Sequence, residues 1–321
     1  GLDKYGTGYG NFLATGTYFQ PELYTHPTVE GRNDALINRS GIYADGQFHD
    51  FDQANVREDH THSFFKGEGS LHPWQGVTDP IDPELGRKQG KYTWAKAPRY
   101  DIPGVGAKPL EVGPLARQVM AGRPGAKGHQ DYDPLILDVI DKVGPSIMTR
   151  VLARMHEAPK YFKLVRGWLD AIDLNESFHV KPIEHKSGKG FGATEAARGS
   201  LSDWIVIEDG KIENYQVVTP TAWNIGPRDG DGSFGPMEQS FVGTPIQNPE
   251  DPVELAHVQP VVVTKKGVDE ARRELRLPLR IEEAGGEIGR ARTGLTQEVT
   301  KEQWDVLAAS IEGRGLDGEA E

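Results

Sequence analysis

Apolar residues fall at helical spacing most clearly between positions 133 and 172. Ile147, Met148, Val151, Leu152 and Met155 recur every three to four residues, and Phe162, Val165, Trp168, Leu169 and Ile172 resume the pattern. Gly144-Pro145 and Ala158-Pro159 interrupt it, so the spacing predicts two or more packed helices with these residues as helix core. On that reading neither Met155 nor His156 is a ligand. A period of two takes over further on. Trp204-Ile-Val-Ile-Glu208 and Lys211-Ile-Glu-Asn-Tyr-Gln-Val-Val218 flank Asp209-Gly210, which predicts a β-hairpin.

Residues 1–130 show few helical runs and are rich in Gly, Pro, Asp and aromatic residues. Short strand-like pieces such as Gly41-Ile-Tyr-Ala-Asp-Gly-Gln-Phe48 carry a turn at Asp45-Gly46. A stretch this rich in loops needs a surface to pack on, and a large partner would supply one. Residues 131–258 hold the helices and the hairpin. Residues 259–321 are more charged and keep a single aromatic, Trp304. Val268–Leu275 and Lys301–Ile311 are predicted there as short amphipathic helices, the second opening on the capping pattern Thr300-x-x-Gln303.

Charge and composition narrow the function classes. A formal net charge of -12 gives no electrostatic case for nucleic-acid binding. No run is long enough to cross a bilayer, and the first residues carry no signal-peptide pattern. The opening Gly1-Leu-Asp-Lys-Tyr5 has no Met and reads as the middle of something, with the natural N-terminus expected upstream or removed. With no cysteine among 321 residues, disulfides, thiolate nucleophiles and thiolate metal sites are excluded for this chain on its own.

Several short patterns invite chemistry. Ser187-Gly-Lys-Gly-Phe-Gly192 is expected to be a glycine-rich loop, but it lacks the Gly-Lys-Ser/Thr ending of a phosphate cradle. His60 and His62 would face one way on a strand and could chelate zinc, with His72 nearby. No second histidine pair completes such a site, which favours loop packing. No nucleophile elbow supports a Ser-His-Asp triad, and a hydrolase would rest on carboxylate abundance alone. Arg198 follows the glycine-rich turn and precedes a predicted strand. A fixed guanidinium there suits a small ligand or a charged centre; a structural ion pair is the plainer alternative.

A series of blocks extends this. They are Leu71-His-Pro-Trp74, Tyr92-x-Trp94-x-Lys96-Ala-Pro-Arg-Tyr100, Glu111-Val-Gly-Pro-Leu-Ala-Arg117, Gly192-Ala-Thr-Glu-x-x-Arg-Gly199 and Glu208-Asp-Gly-Lys-Ile212. Thr219-Pro-x-x-Trp-Asn224, Pro227-Arg-Asp229, Gly235-Pro-Met-Glu238, Gly243-Thr-Pro-Ile246 and Asp251-Pro-Val-Glu-Leu255 follow in order. Together they resemble the later half of a nickel-iron hydrogenase large subunit. The resemblance implies an α+β, helix-rich fold with long packed helices and small β-hairpins. It also implies a subunit that packs against an iron–sulfur small subunit and oxidises or produces H2. In the family two Cys-x-x-Cys pairs hold the nickel-iron centre, and soft thiolates are suited to these metals.

Residue by residue, the resemblance puts Arg198 above the metals, in a role in hydrogen activation. Ala197 stands where the family usually has proline, and Asp203 where it usually has histidine. The backbone carbonyl of Val217 matches a ligand of a buried magnesium ion. Compartment, at the cytoplasmic or periplasmic face of a membrane, is expected to follow from the partner. Both cysteine pairs are missing here, the first with the N-terminal half, and after Val258 the chain departs into an unrelated tail. Three explanations follow: a second large-subunit fragment bringing the cysteines, a non-catalytic scaffold descended from the enzyme, or a sequence whose ends are incomplete or altered, with normal hydrogenase function in the full protein. In the first and third, residues 131–258 supply a canopy around the metal site and not its thiolates.

Overall fold

The computed structural model describes residues 2–19, 36–125, 127, 131–175, 177, 179 and 186–246. All lie in one unit running from Gly1 to Arg276. The two helices expected in residues 259–321 fall outside the described residues.

Thirteen strands and six α-helices alternate among the described residues, so the chain mixes both classes and does not carry the helix-rich balance expected. The difference arises in residues 1–112. Their Gly- and Pro-punctuated runs pair as short strands where loops were expected. One sheet is ordered β10 (Glu111–Val112), β1 (Phe12–Ala14), β4 (Gly41–Ala44) and β5 (Gln47–His49). Here β1 runs parallel to β10 and antiparallel to β4. The β4–β5 hairpin turns on Asp45-Gly46, both at positive φ, as the sequence predicts. A second sheet is ordered β7 (Ser70–Leu71), β6 (Val56–Asp59), β8 (Ala97–Ile102) and β9 (Gly106–Lys108). A small pair joins β2 (Thr17–Phe19) to β3 (Leu36–Asn38).

The third sheet carries β11 (Gly188–Ala196), β12 (Gly199–Glu208) and β13 (Lys211–Val218) in that order. The β12–β13 hairpin on Asp209-Gly210 matches the expectation. The glycine-rich run does not: Gly188–Gly192 is strand, paired along its length with Asp203–Ile207. Its glycines accommodate β12, since a Cβ on Gly190 would lie 3.0 Å from the Ile205 Cγ2.

Helix α1 (Pro83–Lys88) is short, and α2 (Pro114–Ala121) is buried at every position. Helices α3 (Pro134–Val143) and α4 (Ile147–Asp170) form the expected pair, separated by Gly144 at φ +73°. Ser146 starts α4 with a capping box, its hydroxyl accepting from Thr149 N while the Thr149 hydroxyl accepts from Ser146 N. Pro159 does not break α4 as expected. The missing hydrogen bond is outweighed by anchors on both sides: Glu157 is bound by Arg117, Lys160 Nζ donates to Asp131 O, and Tyr161 Oη accepts from Asn38. Two further helices, α5 (Pro220–Ile225) and α6 (Pro236–Phe241), follow the third sheet.

Strand β1 divides the core. Leu13 points into a cluster with Ile42, Val56, Tyr100, Trp204 and Trp223, while Phe12 and Ala14 face Leu115, Met120, Ile136, Ile140 and Ala153. Burying one such large side chain contributes about 1.5–3 kcal/mol. The second cluster clamps α2 between β1 and the α3–α4 pair. Its outer neighbour is less covered. Ile147 is buried and Leu152 half-buried, but Val151, Met155, Phe162, Val165, Leu169 and Ile172, expected as core, are exposed.

Candidate functional site

Strands β11 and β12 meet in a two-residue turn, Ala197-Arg198, closed by the pair Ala196–Gly199. Neither turn residue takes a positive φ, so the unusual backbone passes to Gly199 at +130°. A Cβ on Gly199 would lie 2.6 Å from Gly113 N and 2.8 Å from Val112 C. Gly113, itself at φ +133°, would bring a Cβ to 3.1 Å from the Arg198 carbonyl oxygen. Two glycines thus let the turn lie flush against the entrance to α2. Arg198 itself is exposed at the tip.

Beneath the tip sits a buried charge cluster. Arg117 points from α2 and uses all five of its N–H groups. Nε and Nη2 form a two-pronged pair with Glu157, each at 2.7 Å. Nη1 donates to Glu195 Oε2 at 2.7 Å and to Ala196 O at 3.1 Å, and Nη2 also reaches Ala197 O at 3.3 Å. The other Glu195 oxygen accepts from Thr15 N at 2.7 Å and from its hydroxyl at 3.2 Å. The Thr15 hydroxyl also lies 3.0 Å from that of Ser200. One guanidinium therefore ties α4, the β11 side of the hairpin turn and, through Glu195, the loop after β1.

Electrostatics follow from this burial. Burial pushes the Glu195 carboxyl above its ordinary value, opposed by Arg117 and Thr15. Burial alone would lower the Arg117 pKa, but the Glu157 hydrogen bond and the charges of Glu195 and Glu157 hold it above its ordinary range. Two carboxylates share that cation. A cavity of about 220 Å³ opens beside them, lined by Arg117, Arg154, Glu157, Ala158, Tyr161, Glu195, Ala196 and Ala197. Burial lowers the pKa of Arg154, and the positive charges of Arg117 and Arg198 act in the same direction. Arg154 and Arg117 thus line the cavity together with Glu157 and Glu195, and Arg198 stands near enough to Arg154 for its charge to act there.

The other sequence candidates lie elsewhere. Strand β6 ends at Asp59, so His60 and His62 sit in a turn and do not share a strand face. His60 is buried, and burial lowers its pKa. The His62 Nδ1 lies 2.8 Å from Arg228 O, and its ring stacks on Tyr92 at 5.4 Å. His72 Nε2 lies 3.1 Å from Gln53 O, while Nδ1 accepts from Trp74 N at 3.2 Å. These are packing roles. Val217 lies on β13, an outer strand of its sheet, opposite Asp203, which accepts from Tyr215 Oη at 2.8 Å. Among the described residues no group of three or more His, Cys, Asp or Glu could hold a metal ion. With no cysteine in the sequence, the donors present do not fit a thiolate-bound metal centre.

Sequence reasoning gave no role to Arg117, Glu157, Glu195 or Thr15. Two of them stood inside quoted blocks, Arg117 at the end of one and Glu195 in another. An available signal was charge within an apolar helical stretch, since every residue of α2 is buried.

Comparison with known proteins places this geometry. A family model for nickel-dependent hydrogenases matches residues 1–259. The chain is 34% identical over 267 residues to the periplasmic [NiFeSe] hydrogenase large subunit of Desulfomicrobium baculatum, covering 80% of this chain and 48% of that protein. It is 34% identical over 263 residues to the hydrogenase-2 large chain of Escherichia coli K12, covering 77% and 43%. Its fold matches the Ni-Fe-Se hydrogenase of D. vulgaris Hildenborough in the reduced state with a TM-score of 0.67 and 30% identity, over 81% of this chain and 52% of that one. The chain spans about half the length of the curated relatives it matches.

Proposed function

Since the chain belongs to the nickel-dependent hydrogenase family, we propose that it is the canopy portion of a hydrogenase large subunit, in a complex that oxidises or produces H2 through an iron–sulfur small subunit. The observation that carries this is the Arg198 turn, whose Ala196 and Ala197 carbonyls accept from Arg117 while Arg117 also holds Glu157 and Glu195. Arg117 holds the backbone of the turn, so the Arg198 guanidinium at its tip spends none of its own hydrogen bonds on that. Its five donors stay available to whatever the turn faces. Residues Ala197 and Arg198 are the part of this chain that approaches the metals, and the Val217 carbonyl is the one it offers to magnesium. The thiolates come from outside these 321 residues, carried by missing segments or by a second large-subunit fragment.

The test combines elemental analysis with H2-dependent viologen reduction on the purified assembly. Nickel and activity are expected together, and only with a cysteine-bearing large-subunit segment present. Arg198→Ala is expected to lower turnover by about 10²-fold or more at unchanged nickel content, on the scale of losing a preorganised donor. Full activity in that variant would remove Arg198 from its role. The absence of cysteine favours one second reading, a non-catalytic scaffold in a redox complex. It predicts neither nickel nor dye reduction, and either finding sinks it.

A further inference from the structure

The cavity beside the Arg117 cluster has a surplus of hydrogen-bond donors. Its volume is about 220 Å³, and its charged lining is Arg117, Arg154, Glu157 and Glu195. Every carboxylate oxygen there already has a donor. Both Glu157 oxygens accept from Arg117 at 2.7 Å, as does one Glu195 oxygen, and the other accepts from Thr15 N at 2.7 Å. Arg117 is spent as well, its N–H groups divided between these carboxylates and the turn carbonyls of Ala196 and Ala197. Arg154 is the exception. Its guanidinium makes no hydrogen bond or ion pair among the described residues. A five-donor fork thus borders the cavity with no acceptor to meet.

The local charge has the same sign. Burial disfavours the charged form of Arg154, the positive charges of Arg117 and Arg198 add to this, and Glu157 opposes them. Burial also pushes the Glu195 carboxyl toward its neutral form. A cation entering the cavity would meet guanidiniums, and carboxylate oxygens that each hold a donor already. A soft metal would find no thiolate. An anion would meet the unanswered fork of Arg154 and offset the repulsion among the arginines. We propose that this cavity is a binding site for a small free oxyanion held by Arg154, with a planar carboxylate as the best-matched ligand. No nickel-iron centre is needed for this, so the site stands or falls apart from the hydrogenase reading.

Titration calorimetry of the full chain with acetate and with inorganic phosphate, at constant ionic strength in chloride, tests it. One saturable site per chain is expected, with acetate the tighter ligand. Arg154→Gln is expected to weaken acetate binding by about tenfold or more, the scale of a lost hydrogen bond to a charged group. Arg154→Lys keeps the charge without the fork and should fall between the two. Arg166→Gln, on the same helix and in an exposed pair with Asp170, should bind like the parent chain. Phenylglyoxal labelling of the unsubstituted chain, mapped by mass spectrometry, reads the site without any variant. Acetate at about ten times its Kd should slow labelling of Arg154 about tenfold and leave Arg166 unprotected. Heat without saturation, equal binding by Arg154→Gln, or equal protection of Arg166 overturns the site. So does loss of the site in the purified assembly, which would give the cavity to a carboxylate of a neighbouring chain.

Discussion

Within α4 the usual arrangement of a helix is turned over. Its inner face puts Arg150 and Glu157 in the interior, and its outer face leaves Phe162 and Leu169 in the open. Every inner charge has a specific answer: Arg150 pairs with Glu111 at 2.7 Å, and Glu157 with Arg117. The outer apolar groups have none among the described residues. Buried charges stabilise little by themselves, because desolvation offsets most of the Coulomb gain. What they do is fix geometry, and here they fix the turn that presents Arg198. The outer stripe fixes nothing until something covers it. The two faces differ in what they require: among the described residues one is complete and the other is left uncovered.

The sharpest way to break the inner face is Arg117→Met, which leaves Glu157 and Glu195 buried without their cation. A loss of about 3–5 kcal/mol is expected in chemical denaturation, because an uncompensated charge costs more than a missing pair. A loss under about 1 kcal/mol would mean that the cluster is not the anchor described. Gly199→Ala tests the same turn through its backbone. The added Cβ meets Gly113 N at 2.6 Å in a conformation that L residues avoid, so about 2–3 kcal/mol is expected. Because the strain falls on the turn, Arg198-dependent activity in the complete enzyme is expected to fall with it.

Much of the scaffold was legible beforehand. Asp45-Gly46 and Asp209-Gly210 announce their hairpins because the turn itself selects those residues, and Gly144 announces the end of α3. Strand β11 was hidden, since its glycines lack the alternation of a half-buried strand and its state comes from pairing with β12. The Arg117 cluster was hidden for another reason. Glu157 and Glu195 lie 40 and 78 residues from Arg117, and no local pattern links them. The α4 misreading is the most instructive. Periodicity marks which residues share a face, and both faces of α4 have it; it does not say what covers the face.

Protonation sharpens the inner face further. Burial holds Glu195 above its ordinary value of 4.5, so the folded chain binds that proton more tightly than the unfolded chain does. This contribution is whole below pH 4.5 and is lost as pH rises through the folded value. Stability is therefore expected to fall on going from mildly acidic to neutral pH. Thr15→Val removes the hydroxyl that favours the ionised form. It should steepen that fall by about 1 kcal/mol, one hydrogen bond's worth. A flat profile in both proteins would mean that Glu195 stays ionised throughout.

The outer face predicts the smallest effect, and its smallness is informative. Phe162→Ala in the isolated chain removes a ring that is 78% exposed, with little packing to lose. The expected change in stability is within about 0.5 kcal/mol, against the 2–5 kcal/mol typical of large core residues cut to alanine. A cost several times larger in an assembled particle would show that something there covers the ring. Urea unfolding of the chain alone and in its assembly separates the two cases. A large loss in the isolated chain would show that residues of this chain already cover the stripe, and α4 would then be complete on both faces.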